Sequence, residues 1–278
     1  MLVVLFAGAC DRVFGLDARS APDGPPLAVD APPDAHPTFG SLTPVTLQCP
    51  SGRAPIEVSL DRDERRFIYG CAGTDVDIYE APVKDELTGN TATAVVVAPG
   101  AQGSPEMSPD GLAVYYLVLI TGIGEIHLKQ RMTIDDPWGA PTTPAVLNTG
   151  ADDRPGSPDA TGTHFVITRS SPPGSMLVEV VRQANTLVDS TTSTAALRAV
   201  TSPINPQISA DGRTLVFAAM GNGFDLFISE RSNPDSPWGT AVSISEVNTN
   251  GDETDPWLSA DGRRLYFTRG GVVLLGRK

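Results

Sequence analysis

Six residues have side chains and positions that could do chemistry together. They are polar or aromatic, and they lie at or just before one position of a motif that recurs along the chain. The six are Glu57, Glu106, Asp153, Gln207, Asp255 and Trp257. Paired carboxyl groups can act as acid and base on a glycosidic bond, and carboxylate oxygens can also bind a cation. A hydrated polar channel that holds no ligand is the third interpretation.

The motif that positions these residues has the form P-x-x-S-x-D-G-x-x-L-x-F. Asp accepts hydrogen bonds from nearby backbone N–H groups and Gly supplies a positive φ, so each S-x-D-G segment predicts a turn. The alternating apolar residues after it predict a strand with one buried face. Full copies lie at 105–116, 206–217 and 256–267, and weaker copies at 56–67 and 155–167. The serine position falls at Ser59, Ser108, Pro158, Ser209 and Ser259.

Each repeat predicts four antiparallel strands, which is the content of a β-propeller blade. Two fourth strands begin with a Trp-Gly pair, at 138–147 and 238–247. The last repeat stops after its third strand, whereas Phe39-Gly40 begins a strand that belongs to no other unit. We therefore predict an all-β, five-bladed propeller over residues 39–278. Residues 39–53 supply the last strand of the final blade, so the N-terminal strand closes the ring against the C-terminal blade.

This repeat unit resembles the propeller repeat of the TolB protein, a WD-like repeat of bacterial envelope proteins. The resemblance covers about residues 53–278 and is strongest in the three full copies of the motif. The TolB propeller has six blades, so the five blades predicted here depart from it. The resemblance implies a non-enzymatic scaffold that docks proteins, and it implies no catalytic residues.

The alternating strand directions of a blade define two faces of the propeller. The S-x-D-G turns lie on one, which we call the turn face. The opposite loop face carries the connections from second to third strand, which vary in sequence and are where binding sites occur on rigid scaffolds. These connections lie at 70–75, 119–124, 169–175, 220–224 and 269–271. Because first strands line the channel, the sequence predicts a ring at its mouth of Glu57, Glu106, Gln207 and Trp257, with Asp153 and Asp255 nearby.

The first ten residues, MLVVLFAGAC, are uncharged and mostly apolar. They resemble the end of a secretory signal with a bacterial lipobox, which predicts a lipid on Cys10. An ordinary apolar N-terminus with a single cysteine is the alternative. Residues 11–38 are rich in Pro, Asp and Ala and predict an extended tether between that anchor and the propeller.

Cys49 and Cys71 remain as a pair. Both fall on the loop face of the first blade, and an exported protein folds where disulfides are stable, so we expect a bridge between them. Two free buried thiols are the alternative.

The charge balance excludes some partners. The net charge of −13 and the pI near 4.5 have the wrong sign for nucleic acid or for an anionic lipid surface. The histidines have no Cys or His at ligand spacing, so no zinc site and no cofactor are predicted. They are His36, His127 and His164.

The sequence thus predicts a monomeric, lipid-anchored propeller in the bacterial cell envelope, periplasmic or surface-exposed. It would bind a protein or a glycan on its loop face without catalysis. The alternative is a carbohydrate-active hydrolase or lyase that uses the channel carboxylates, and a purely structural envelope protein is a third possibility. Five-bladed folds host such enzymes, which is an argument from fold alone.

Overall fold

The structure is a computed structural model that describes residues 38–278 apart from 99, 101, 172–173, 184–185, 191 and 222. The predicted signal, the predicted lipidation site Cys10 and nearly all of the predicted tether lie outside the described residues. Within them the chain is almost entirely β, with one short 3-10 helix, η1 (Ala195–Ala199). In this described part no helix is long and apolar enough to cross a bilayer.

Five antiparallel sheets form the blades, numbered here in chain order. Blade one contains β2 (Ala54–Leu60), β3 (Arg66–Ala72), β4 (Val76–Asp85), β5 (Thr88–Gly89) and β6 (Thr93–Val96). Blade two contains β7 (Gln102–Met107), β8 (Ala113–Ile120) and β9 (Ile123–Gln130). Blade three contains β10 (Asp153–Arg154), β11 (His164–Ser171), β12 (Gly174–Gln183) and β13 (Thr186–Ser190). The sheet order confirms five blades of antiparallel strands.

The last two blades show how the ring closes. Blade four contains β14 (Thr201–Ile208), β15 (Thr214–Met220), β16 (Phe224–Glu230) and β17 (Val242–Ser243). Blade five contains β18 (Glu253–Leu258), β19 (Arg264–Arg269), β20 (Val272–Arg277) and the N-terminal strand β1 (Leu42–Pro44). Strand β1 pairs antiparallel with β20, with Leu42 opposite Gly276. The predicted closure by the N-terminal strand is therefore confirmed.

The outermost strands are shorter than predicted. Segment 138–147 contributes only an isolated bridge between Thr142 and Leu128, so blade two has three full strands. Segment 238–247 contributes only the two residues of β17. Prolines at 141 and 144 remove backbone donors from the first segment, and the outer edge tolerates their loss because no further strand pairs there.

Turn chemistry is conserved across the blades but not always by the predicted residue. In blade four the Ser209 hydroxyl accepts the N–H of Thr214 at 2.8 Å and donates to Asp211 at 2.6 Å. In blade one Asp61 does this work and accepts the N–H of Arg66 at 3.0 Å, and in blade three Asp159 accepts the N–H of Thr163 at 2.9 Å. The predicted positions Ser59 and Pro158 are therefore displaced by two residues and one residue, respectively, from the structural equivalents of Ser209.

Apolar clusters hold the blades together, each between two neighbours. Between blades two and three, the rings of Tyr115 and Phe165 lie 4.8 Å apart. Between blades five and one, the ring of Tyr266 lies 5.9 Å from that of Phe67. The last cluster shows that the ring is closed by packing as well as by strand pairing.

Two of the interfaces also carry a buried ion pair under a tryptophan. Arg131 of blade two donates to both carboxylate oxygens of Glu80 in blade one, at 2.7 and 3.0 Å, and stacks 4.0 Å from the centre of the Trp138 ring. Arg231 of blade four repeats this with Glu179 of blade three and stacks 3.9 Å from Trp238. We call each set a Glu–Arg–Trp lock.

Cys49 and Cys71 form a disulfide with 5.7 Å between their Cα atoms. It joins the segment that follows β1 to strand β3.

Candidate functional site

The inner strands share a backbone feature at the channel. In four blades a residue other than glycine has a left-handed φ between 45° and 54° on the inner strand. Each lies four residues before Ser209 or the structural equivalent of Ser209 in its blade. They are Glu57, Ser104, Asn205 and Asp255. At each of them the pairing with the second strand shifts register, so each marks a β-bulge. Pro155 holds the corresponding place in blade three, where the proline ring excludes a positive φ.

The side chains at these bulges lie at the channel centre. The Asn205 amide donates to the Ser104 hydroxyl at 3.4 Å, although blades four and two are not neighbours in the ring. That contact must cross the channel axis. The Glu57 carboxylate accepts the backbone N–H of Ser104 at 2.9 Å, and Thr254 donates to Asp255 at 2.7 Å. We call Glu57, Ser104, Asn205 and Asp255 the channel cluster.

Burial changes the acidity of the carboxyl groups in the channel. It raises the pKa of Glu57 to about 8, and the nearby charge of Asp255 adds to the increase. Burial also raises the pKa of Asp255 to about 6, against the hydrogen bond from Thr254. The pKa of Glu106 is raised well above its usual value, first by burial. The pKa values of Glu57 and Asp255 therefore lie on either side of neutral pH, and carboxyl groups shifted in this way cluster at functional sites.

The predicted ring divides into two levels. Glu57 and Asp255 belong to the channel cluster, whereas Glu106, Gln207 and Trp257 lie two residues past their bulges, nearer the turn face. Gln207 accepts the N–H of Leu258 at 3.2 Å. The Trp257 indole donates to the carbonyl of Leu60 at 2.9 Å. These two side chains join neighbouring blades.

The level nearer the turn face, which holds Glu106, Gln207 and Trp257, opens on a narrow cleft. Gln207 and Trp257 line it together with Ser157 and Met107, and about 20 Å³ of it is available to water, which is room for one molecule. At this level of the channel two buried side-chain oxygens, Oγ of Ser157 and Oε2 of Glu106, have no hydrogen-bond partner among the described residues. In blades one, four and five the equivalent side chains, Ser59, Gln207 and Trp257, reach a backbone group of the next blade. For Glu106 the corresponding residue of the next blade is Pro158, which has no N–H.

Asp153 lies apart from the channel cluster. Its carboxylate accepts the N–H of Thr149 at 2.7 Å and the guanidinium of Arg169 at 2.6 Å, and the residue is fully buried. Glu253 makes the same contacts with Thr249 and Arg269 in blade five. The repetition indicates that this carboxylate positions the loop that enters each of these two blades.

Sequence reasoning missed Ser104 and Asn205 as members of the channel cluster. Both stand directly before the proline of the motif, as Asp255 does. In blade one the turn residue is Asp61, which lies two residues after the motif-aligned Ser59, so the place four residues before the turn falls on Glu57. In each of these blades one side chain accepts the N–H at the start of the second strand: Asp61, Ser108, Ser209 or Ser259. Counting back four residues from that side chain, instead of aligning the motif prolines, identifies all four members of the channel cluster.

The hairpin tips of blades two, four and five carry exposed apolar residues on the loop face. Ten large hydrophobic residues are exposed in the described part of the chain, and half of them lie at second-to-third strand connections. These five are Leu119, Ile120, Ile123, Met220 and Val272. Among the described residues no group of three or more His, Cys, Asp or Glu side chains could hold a metal ion.

Comparison with known proteins gives the fold. No protein-family model and no curated protein sequence matches this chain. The solved structure of TolB from Acinetobacter baumannii is similar, with a TM-score of 0.54 and 14% identity over 81% of this chain and 55% of its own. A putative TolB from Agrobacterium tumefaciens gives a TM-score of 0.50 and 14% identity over 78% of this chain and 69% of its own. This chain thus corresponds to about half the length of the first.

An enzyme has the same fold. Zg3597, a family 117 glycoside hydrolase of Zobellia galactanivorans, gives a TM-score of 0.56 and 11% identity over 86% of this chain and 90% of its own. At such identities the likeness concerns the TolB-like propeller fold alone.

Proposed function

We propose that this protein is an exported, lipid-anchored binding propeller that docks a protein or a glycan on its loop face. The observation that carries the proposal is that half of the exposed large hydrophobic residues of the described chain lie at the hairpin tips of the loop face, with Leu119, Ile120 and Ile123 in blade two. Apolar residues clustered on loops of a rigid scaffold are typical of interaction sites.

Site-specific photocrosslinking in the native envelope tests the docking face. A benzophenone side chain at Ile123 should trap one defined partner, identified by mass spectrometry. The matched control is Met132, which is 78% exposed but lies beyond β9 on the turn face. The same products from both positions, or none from Ile123 together with no binding to a glycan array, would refute a docking role for the loop face.

A second function is favoured by the two carboxyl groups of the channel cluster. Glu57 with a pKa of about 8 holds a proton at neutral pH, while Asp255 with a pKa of about 6 is largely ionised. That division suits a general acid and a base in a carbohydrate-active hydrolase or lyase. Turnover of an oligosaccharide panel that disappears in both Glu57→Gln and Asp255→Asn would establish it. A binding propeller would show no turnover and would keep its partner in both variants.

A further inference from the structure

The third strand of every blade has an outer edge whose backbone groups need partners. One position recurs on this edge in all five blades. In blade one Ile78 pairs with Val96 of β6, and in blade five the carbonyl of Val273 accepts the N–H of Val45 at 2.9 Å. In these two blades another stretch of backbone covers the edge.

In blades two and four an asparagine side chain covers the same position. The N–H of Ile126 donates to Asn148 at 2.7 Å, and the Asn148 amide donates back to the Ile126 carbonyl at 3.0 Å. Leu226 and Asn248 repeat this pair of bonds at 2.8 and 3.0 Å. A side-chain amide thus imitates a neighbouring strand.

An aspartate covers the next outward-facing group on each of these edges. The N–H of Gly124 donates to Asp152 at 3.1 Å, and the N–H of Phe224 donates to Asp252 at 2.9 Å. Each Asn and Asp pair comes from the segment that leads into the next blade, so both edges are capped locally.

Blade three lacks these caps. In the β12–β13 pair Gln183 lies opposite Thr186 and Glu179 opposite Ser190, so by the two-residue period the backbone groups of Ser175 and Leu177 face outward. Strand β13 ends opposite Glu179, and the chain then turns away into η1. Among the described residues, nothing hydrogen-bonds to the N–H or C=O of Ser175 or Leu177.

A groove of about 350 Å³ runs beside this uncovered edge. Leu177 and Leu197 supply its apolar floor, and both are at least 96% buried. The far wall is the segment from Val200 to Pro203, which leads into β14, and Arg198 also lines the groove. The groove therefore has an apolar floor and a far wall, whereas the edge of β12 beside it has backbone groups without partners among the described residues.

We propose that this edge of β12 binds an extended segment of a partner protein, which adds as the missing outer strand. Two outward N–H and two outward C=O groups at alternate residues match an extended backbone and no compact ligand. In blade one the four residues of β6 cover the corresponding edge, so we expect the bound segment to have a similar length. An apolar side chain of the segment packs on Leu177 and Leu197.

Selection from a displayed library of random seven-residue peptides against the full-length chain supplies the probe. A selected peptide should slow amide hydrogen exchange at Ser175 and Leu177 at least tenfold, measured by NMR. Exchange at Ile126 and Leu226, which are already capped, should not change. This measurement uses the unaltered protein and does not depend on any variant folding.

Two substitutions at Ser175 form a matched pair of variants. Ser175→Pro removes an outward N–H that no described group uses, and it should weaken the peptide at least tenfold. Ser175→Ala removes only the hydroxyl bond to Pro203 and should leave affinity within twofold. The proposal is overturned if no peptide is selected, if Ser175→Pro binds as tightly as Ser175→Ala, or if the free protein already exchanges at Leu177 as slowly as at Ile126.

Discussion

At the scale of single residues, the channel cluster is defined by backbone conformation as much as by side chains. A left-handed φ on a residue other than glycine costs on the order of 1 kcal/mol or more, so glycine would be the less strained choice at Glu57, Ser104, Asn205 and Asp255. The chain instead keeps four polar side chains there, and they meet across the axis. The strain is thus associated with a site that the motif alone does not reveal.

The raised pKa of Glu57 predicts how stability depends on pH. The folded protein holds this proton up to a pKa of about 8, whereas an ordinary glutamate loses it near 4.5. The contribution of Glu57 to stability is therefore greatest below about pH 4.5 and falls as the pH rises to about 8. Glu57→Gln should remove this loss and exceed the wild type by roughly 1–4 kcal/mol at about pH 8.5, with no gain near pH 4.

Urea unfolding at several pH values measures this difference. Glu230→Gln, which changes an exposed glutamate, serves as the control and should follow the wild-type profile. A Glu57→Gln variant that is no more stable than the wild type at alkaline pH would show that Glu57 ionises freely in the fold.

At the scale of strands and blades, the second strands were predicted best. The alternating apolar residues of β15 and β19 follow directly from the motif, and both strands lie where expected. The fourth strands were overpredicted because their pattern carries prolines and polar residues that only an outer edge accepts. The Glu–Arg–Trp locks were not predicted, because their members lie in different blades and no local spacing joins Glu80 to Arg131.

The first lock makes a prediction about stability. Arg131→Met should leave the buried Glu80 carboxylate without its cation, which costs roughly 3–5 kcal/mol. At about 2–4 °C per kcal/mol, Tm should fall by roughly 6–20 °C in scanning calorimetry. The double variant Glu80→Gln, Arg131→Met removes both charges and should recover at least half of that loss. Equal Tm values for Arg131→Met and the wild type would mean that the lock contributes nothing to stability.

At the scale of the whole molecule, ring closure was predictable from one dipeptide. Phe39-Gly40 matches Trp138-Gly139 and Trp238-Gly239 in the sequence. In the structure all three glycine N–H groups donate to the end of a third strand, at 2.7, 2.8 and 3.0 Å. The local chemistry of an outer strand therefore identified the N-terminal segment as one, although its partner strand lies more than 230 residues away.

The final prediction concerns ring closure by the pairing of strands β1 and β20. Val45 donates its N–H to β20 at 2.9 Å, so by the two-residue period Thr43 also donates to β20, opposite Leu275. Thr43→Pro removes that donor and should cost roughly 1–3 kcal/mol, with a lower calorimetric Tm and faster amide exchange along β20. Thr43→Ala keeps the N–H and should change Tm little, because side-chain truncation at this partly exposed site leaves the strand pair intact. If the proline and alanine variants melt alike, the ring is held by the apolar cluster around Tyr266 and Phe67 rather than by the pairing of β1.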